Sequence, residues 1–185
     1  MWIFPIIILL LLIVFVWALY NGLVTAKARV QESWSGIYVQ LKRRSSLIPN
    51  LIETVKGYAK HEQAIYDKIM KAREGLGSGS KKEQAKANDA ISEALKSIFA
   101  IAESNPELKA NQNFLKLQEE LSDTESKIAY SRQFYNANVM DYNVKIKIFP
   151  NVLIANALGF KEEEFFRAAE EEKADVKVDF NLNQK

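Results

Sequence analysis

The chain has 185 residues, enough for one membrane segment and one ordinary-sized domain. Charged residues make up 26% of it and the formal net charge is +2, a balance that excludes a strongly basic nucleic-acid binder. Seven glycines and four prolines are few for this length and favour long helices over a turn-rich β fold. Because the chain lacks cysteine, it has no disulfides, no thiolate chemistry and no cysteine-ligated metal.

The first element is an uncharged, almost wholly apolar segment from Trp2 to Tyr20. At about 1.5 Å per residue its helix is roughly 28 Å long, which matches the hydrocarbon thickness of a bilayer. Trp2, Trp17 and Tyr20 lie at its ends, where aromatic rings favour the headgroup level. No basic residue precedes it and no small-residue cleavage site follows it, so a retained anchor is favoured over a signal peptide.

The flanks of this segment predict its orientation. Basic residues are found only on its C-terminal side: Lys27, Arg29, Lys42, Arg43 and Arg44. The positive-inside rule therefore predicts a short N-terminus outside and a domain in the cytoplasm.

Residues 21–74 are predicted to be helical, because their apolar residues recur at intervals of three, four and seven. Pro49 is the one interruption expected there; it predicts a kink or short break at 45–49, with Ser46 capping the restart. No helix breaker lies between Val16 and Ser45, so the anchor and the first bundle helix are predicted to form one rod.

Two start signals follow a flexible Gly/Ser turn at residues 75–80. Ser80 is expected to cap a second helix over about 81–103. Ser104-Asn105-Pro106-Glu107 combines a capping residue, a proline at the first helical position and an acid in the first turn. It predicts a third helix over about 107–149, which Pro150 ends.

The third helix carries a strict seven-residue repeat, made by Phe114, Leu121, Ile128, Tyr135, Tyr142 and Phe149. Such a repeat predicts a left-handed supercoil against partner helices. The second seam, four residues further along each time, is more polar and consists of Gln118, Glu125, Arg132, Val139 and Ile146. Polar residues in a seam can fix register or pair across helices.

The C-terminal part is predicted to contain a short helix over 151–158 with Gly159 as its stop, an acidic helix over 161–173, and a strand or extended tail over 176–180. The fold class is therefore all-α: one N-terminal transmembrane helix followed by an antiparallel bundle of long, coiled-coil-like helices. The predicted domains are an anchor at 1–20, a bundle at 21–160 and a C-terminal acidic segment at 161–185.

Catalytic chemistry finds little support in the sequence. His61 is the one histidine, and Ile65 occupies the position where a metalloprotease helix needs a second. The Gly-rich turn lacks the lysine of a phosphate loop. We predict no enzyme, no cofactor and no metal; an enzyme would require a pocket that gathers His61, Glu62 and Glu125.

Polar residues near Pro49 and on the third helix allow two interpretations. Tyr135-Asn136 and Tyr142-Asn143 lie seven residues apart, on one helix face, and are expected with Asn50 to hydrogen-bond across the bundle and to satisfy backbone groups that Pro49 leaves free. Alternatively, Arg43, Arg44 and Lys56 form a patch for a small anion or a partner protein.

Charge is distributed unevenly along the chain. Residues 27–74 contain ten basic and five acidic side chains, whereas residues 162–173 contain six acids and two bases. The acidic segment is expected to pair with the first helix. Head-to-tail contact between protomers is the alternative, and the basic region can also lie near anionic lipid.

The chain resembles the LemA family over nearly all of its length beyond the anchor. The resemblance is most specific at Arg43-Arg44-Ser45-Ser46-Leu47-Ile48-Pro49-Asn50-Leu51, although the family usually has an aspartate where Ser46 stands. It extends from Trp34 through Lys56, His61, Glu125 and Arg132 to Tyr135-Asn136, Tyr142-Asn143 and Phe149-Pro150. These are the candidate interaction or structural residues.

The resemblance implies a bacterial-type inner or cytoplasmic membrane protein with a cytoplasmic helical bundle, in a family without an established catalytic activity. Together with the anchor and the heptad surface, it favours a self-associating scaffold or adaptor in membrane organisation or envelope processes. The expected partners are membrane lipid, further copies of the chain and other proteins, but not nucleic acid. A ligand-sensing module that uses Arg43, Arg44 and Lys56 is the alternative.

Overall fold

The computed structural model describes residues 3–58, 63–77 and 80–166, and these residues form helices and connections without any strand. The helices are α1 (Ile3–Lys56), α2 (Gln63–Gly77), α3 (Lys81–Ser104), α4 (Pro106–Lys109), α5 (Gln112–Lys145) and α6 (Asn151–Ala157). The predicted all-α fold, a long apolar N-terminal helix followed by a helical bundle, is confirmed.

Helix α1 joins the apolar segment to the bundle without a break. Its 54 residues correspond to a rod of about 80 Å. The apolar side chains of its first turns are exposed on every side, and the segment is long and apolar enough to cross a membrane. From Leu23 onward one face is buried, because the residues on it recur every three or four positions, as at Val30, Ile37 and Leu41.

The bundle consists of two helix pairs. Helix α5 runs antiparallel to α1: Lys145 lies beside Gly22 at one end, and Asn111 donates its Nδ2 to the Tyr58 hydroxyl at 3.1 Å at the other. Helices α2 and α3 form the second pair. A Cβ at Gly75 would lie only 2.9 Å from that of Ala87, so the absence of a side chain there permits this close approach.

Of the kink or short break predicted at 45–49, the break is wrong, because α1 continues as a helix through Pro49 to Lys56. Proline cannot donate to the carbonyl of Ser45 four residues earlier. Arg73 of α2 donates to that carbonyl instead, with its Nε 3.0 Å away. Ser46 therefore caps no restart, and its hydroxyl donates to the Lys42 carbonyl within the same helix. The first helix instead ends before the turn at Gly57 and Tyr58, so residues 21–74 are not one helix.

The predicted third helix is divided and shorter than expected. Asn105 caps it as predicted and Pro106 opens it, but α4 has only four residues. Asn111 adopts an extended backbone and caps a new start by accepting from the Phe114 amide, which begins α5. Helix α5 ends at Lys145, in turns that precede Pro150.

The heptad face of α5 is buried at Phe114, Leu121, Ile128, Tyr135 and Tyr142, as predicted. Phe149 is the exception: it lies beyond the helix and its side chain is 79% exposed. In the second seam Val139 and Ile146 are buried, whereas the polar Gln118, Glu125 and Arg132 lie half-buried at its edge.

Two further predicted helix boundaries are confirmed, and the predicted acidic helix is not. Ser80 and Glu83 form a reciprocal cap at the start of α3, and Gly159 follows α6 with φ of +72°. Residues 161–166 have no helix and no other regular structure, which corrects the predicted helix over its described part. The rest of that prediction and the tail at 176–180 lie outside the described residues.

Candidate interaction site on helix α5

Residues 161–166, called here the strap, lie along the C-terminal half of α5. Four side chains of α5 hold the backbone of the strap: Tyr135, Asn136, Tyr142 and Asn143, called here the Tyr–Asn clamp. The sequence singled out these four residues, but their partner is the strap and not the backbone near Pro49.

Each asparagine makes two hydrogen bonds with one residue of the strap. Asn143 donates Nδ2 to the Glu163 carbonyl and accepts from the Glu163 amide, both at 2.9 Å. Asn136 donates to the Phe166 carbonyl at 3.0 Å and accepts from the Phe166 amide at 2.8 Å. A side-chain amide thus satisfies both backbone groups of a residue, as a neighbouring strand would.

The tyrosines bind carbonyls between and beside these positions. Tyr135 donates its hydroxyl to the Glu164 carbonyl at 2.8 Å, and Tyr142 donates to the Lys161 carbonyl at 3.0 Å. Burial raises the pKa of both phenols above the ordinary value for tyrosine. Both hydroxyls therefore remain donors throughout the physiological pH range.

The spacing of the clamp follows from the geometry of the two partners. Seven helical residues advance about 10.5 Å, and three extended residues advance about 10 Å. Asn143 and Asn136, seven apart, therefore meet Glu163 and Phe166, three apart, and the strap runs antiparallel to α5. The two tyrosines, also seven residues apart, likewise bind the carbonyls of Lys161 and Glu164, which are three residues apart.

Lys81, at the start of α3, adds an electrostatic contact. Its Nζ lies 2.9 Å from Glu163 Oε2 and 3.2 Å from the Tyr135 hydroxyl, and about 5.4 Å from the centre of the Trp34 ring. Burial alone would lower the pKa of Lys81, but the hydrogen bonds with Glu163 and Tyr135 outweigh it and the pKa is raised. Lys81 thus joins α1, α3, α5 and the strap.

Phe166 fixes the far end of the strap in an aromatic pocket. Its side chain is buried, with its ring 5.8 Å from that of Trp34, which also packs edge-on against Tyr135 at 5.4 Å. The guanidinium of Arg132 lies 4.8 Å from the Phe166 ring centre. Trp34 and Arg132 are therefore part of this site.

The acidic residues of the strap pair differently from the prediction. Glu163 pairs with Lys81 of α3, and Glu162 pairs with Lys147 at 2.8 Å, just beyond α5. Within the described residues, then, the ion pairs of this acidic segment join it to α3 and to the end of α5 instead of to α1.

A second polar group, the Arg44 cluster, comprises Arg44, Asn88, Ser92 and Glu125. Arg44 is only 2% exposed; it donates to Asn88 Oδ1 and pairs with Glu125 Oε2, both at 2.7 Å. Ser92 donates to Glu125 at 3.3 Å. Burial lowers the pKa of Arg44, while Glu125 and Asp89 oppose that shift. The cluster connects α1, α3 and α5.

The structure does not bring the three predicted anion-binding cations together. Arg44 is buried and pairs with Glu125 in its cluster. Arg43 lies on the exposed side of α1, 3.8 Å from Asp123. The Nζ of Lys56 lies 5.9 Å from the centre of the Tyr66 ring. Asn50 is exposed, with its carbonyl accepting from Thr54. Each cation has a separate partner, so the geometry gives the anion-site alternative no support.

The residues considered for catalysis are not gathered either, as far as they are described. His61 and Glu62 lie outside the described residues, and Glu125 serves Arg44 and Ser92. Among described residues no group of three acidic or histidine side chains could hold a metal. An open cleft of about 370 Å³ lies beside the strap. Its charged lining consists of three lysines and three glutamates: Lys27, Lys81, Lys161, Glu162, Glu163 and Glu164.

Comparison with known protein families identifies the family of this helical chain. The sequence model described as the LemA family matches residues 33–180, which include the clamp, the strap and the Arg44 cluster. The chain belongs to the LemA family. Among the residues that the structure describes, one helix, α1, is long and apolar enough to cross a bilayer.

The chain is also similar to several named proteins at moderate identity. Magnetosome protein MamQ of Magnetospirillum gryphiswaldense is 27% identical over 174 residues, covering 80% of this chain and 64% of the relative. Magnetosome protein MamQ 2 of Paramagnetospirillum magneticum is 26% identical with the same coverage. Protein LemA of Metamycoplasma hominis is 29% identical over 161 residues, covering 84% of this chain and 72% of that protein. The chain thus spans less than two thirds of the length of the MamQ proteins.

Several residues of these sites escape sequence reasoning. Lys81, Phe166, Asn88 and Arg73 each act on a residue at least 28 positions away, so no local pattern reveals them. The seven-residue spacing of the two Tyr-Asn pairs was the available signal for the clamp. This spacing indicates that the four residues share a helix face. It does not reveal the extended strap, because the acidic composition of that segment is typical of a helix.

Proposed function

We propose that the protein is a non-catalytic, single-pass scaffold that self-associates on a bacterial-type inner or cytoplasmic membrane. Its N-terminus lies outside, and its bundle organises membrane or recruits partner proteins in the cytoplasm. The observation that carries this proposal is the unbroken helix α1, which links the apolar segment directly to the bundle core.

A continuous helix suits presentation of a surface. Because α1 has no joint between the apolar segment and Leu23, the bundle cannot swing freely as a domain on a flexible linker does. The best-formed polar sites among the described residues, the clamp and the Arg44 cluster, join one part of the chain to another, and their polar groups are occupied by these internal contacts. This arrangement favours assembly over catalysis.

Self-association has a candidate surface on the outward face of α5. Tyr130, Phe134, Met140 and Val144 are half or more exposed and form two pairs spaced by four residues within an arc of about 120°, called here the outward stripe, opposite the buried heptad face. Two relatives are named magnetosome proteins, and the proposed role in membrane organisation draws on that likeness.

Light scattering of the full chain in mild detergent or nanodiscs tests self-association. We expect a defined oligomer that Phe134→Glu with Val144→Glu dissociates, while Lys116→Glu, an exposed change on the same helix, leaves it intact. A strictly monomeric particle, or an oligomer indifferent to the stripe variant, would overturn the proposal.

Orientation is tested separately by single cysteines in this cysteine-free chain. In spheroplasts, an impermeant maleimide is expected to leave Lys116→Cys unlabelled until the membrane is opened. Labelling of that position in intact spheroplasts would place the bundle outside.

A further inference from the structure

The bundle end nearest the apolar segment carries an exposed apolar surface. The last residue of α5, Lys145, lies beside Gly22, which is only about 3 Å along the helix from Tyr20. Because α5 runs antiparallel to α1, the chain beyond Lys145 continues toward the apolar segment. It returns at Phe160, whose ring lies 6.4 Å from that of Tyr20. Residues 146–160 are therefore level with the end of that segment.

The segment formed by residues 146–160 is amphipathic. Asn151 and Ala155 of α6 are buried against the bundle. Four other apolar side chains of this segment, called here the apolar foot, are about half exposed or more: Ile148 (49%), Phe149 (79%), Leu153 (63%) and Leu158 (57%). Within the described residues nothing packs over these side chains, although all four belong to the types most often found in cores.

We propose that the apolar foot inserts into the interfacial layer of the same bilayer that α1 crosses. The inference rests on the proposed function in one respect, that residues 3–20 span a membrane. It adds a second, distinct lipid contact some 130 residues away in sequence. The protein then touches the membrane with a span and with a short interfacial helix.

Lipid is the occupant favoured by position. The exposed apolar surface of α1 and the foot adjoin each other at Tyr20 and Phe160, so the foot continues a surface that must face acyl chains. Phenylalanine and leucine side chains, which the foot exposes on α6 and on the turns that flank it, are among those that partition into the interface. A second protein copy would instead have to bind within the headgroup layer.

Charge around the foot indicates what kind of lipid matters. Lys145, Lys147 and Lys161 flank it, but Lys147 already pairs with Glu162 at 2.8 Å. The net attraction for anionic headgroups is therefore partly cancelled, and apolar burial is left as the main source of affinity. Insertion should then persist in zwitterionic bilayers.

Two-point attachment would set the rotation of the bundle about α1. A span alone leaves a helix free to turn about its axis, whereas a foot at one side selects one orientation. The clamp face and the outward stripe of α5 would then point in fixed directions along the membrane plane, as lateral assembly requires.

The test uses full-length chains in nanodiscs, each carrying one cysteine with an environment-sensitive fluorophore. Leu153→Cys reports on the foot and Leu12→Cys on the span. Leu115→Cys is the matched control, because this leucine is also partly exposed (46%) but lies near the start of α5, at the opposite end of the bundle. Quenching by lipids brominated near the headgroup is compared with quenching by aqueous iodide, in zwitterionic and in anionic discs, and helical content is checked by circular dichroism.

We expect lipid quenching at Leu153→Cys several-fold stronger than at Leu115→Cys, with iodide quenching correspondingly weaker, in both lipid compositions. Lipid-insensitive fluorescence at Leu153→Cys that iodide quenches would overturn the proposal. So would protection from both quenchers, since it would indicate a protein neighbour. Insertion confined to anionic discs would contradict the apolar mechanism. Leu12→Cys is examined with lipids brominated deep in the acyl chains. If these do not quench it, residues 3–20 do not span the bilayer, and the proposed function is overturned as well.

Discussion

The two halves of α5 share a seven-residue repeat but use it for different partners. In the half farther from the apolar segment, the distal half, Leu121 and Ile128 pack against helices, and Glu125 pairs with buried Arg44. In the proximal half, Tyr135 and Tyr142 keep the repeat while the asparagines beside them hold an extended strap. The same period serves both because seven helical residues match two turns of a neighbouring helix and also about three extended residues.

The difference has an energetic consequence. The distal half joins α1, α3 and α5 through a buried guanidinium, so damage there should destabilise the whole bundle. The proximal half joins the bundle to six residues near the end of the described chain. Damage there should release the strap locally and leave the helices folded.

The largest expected effect is on the distal half. Arg44→Met should lower the free energy of unfolding by about 2–4 kcal/mol, because Asn88 and Glu125 both lose their cation; the half-exposed Glu125 can rehydrate, which limits the loss. Denaturant unfolding of the detergent-solubilised chain, followed by circular dichroism, measures it.

Arg43→Met is the neighbouring control for that variant. Arg43 and Asp123 are both about half exposed, so its cost should stay below about 1 kcal/mol. Equal losses for the two arginine variants would contradict the view that the distal half depends on one buried cation.

The next largest expected effect is confined to the proximal half. Replacing both clamp asparagines (Asn136→Ala with Asn143→Ala) should speed hydrogen exchange of the Glu163 and Phe166 amides about tenfold or more, since each amide loses its acceptor. Mass spectrometry of the peptide that covers 161–166 measures this exchange, and the unfolding midpoint of the helices should change little.

Asn138→Ala provides the matched asparagine control. Its Nδ2 donates to the Phe134 carbonyl within α5 and does not contact the strap. If the control speeds exchange in the strap as much as the double variant, the clamp does not hold the strap.

A smaller effect tests how α1 passes Pro49, again in the distal region. Arg73→Met should cost about 1–2 kcal/mol, because the Ser45 carbonyl loses its donor. In a Pro49→Ala background the restored backbone N–H can serve that carbonyl, so the same change should cost measurably less. A double-mutant cycle by denaturant unfolding gives the coupling, and strict additivity would show that Arg73 does not compensate for the proline.

The smallest effect is alkaline weakening of the proximal half. The folded-state pKa values of Lys81, Tyr135 and Tyr142 are raised, so the stability they contribute is complete below their unfolded values near pH 10 and is lost as pH rises through the folded values. The thermal midpoint should fall more steeply above about pH 10 in the native chain than in Tyr135→Phe with Tyr142→Phe. Parallel pH profiles would count against this role.

Much of the fold could be predicted because its signals are local or periodic. The apolar segment, the caps at Ser80 and Asn105, the stop at Gly159 and the buried heptad face of α5 each depend on residues close in sequence. The candidate site could be predicted only as a face: Tyr135, Asn136, Tyr142 and Asn143 were placed together, but their partner was not.

The sequence by itself determined that this is an all-α protein with one apolar helix running into a bundle, because hydrophobic periodicity and capping act within a few residues. Tertiary structure decided the rest. It let α1 continue through Pro49 because Arg73 reaches the carbonyl that proline leaves without a donor. It kept residues 161–166 extended because side chains of α5 satisfy their backbone better than an isolated acidic turn of helix would. Both outcomes depend on partners distant in sequence, and local pattern carries no information about them.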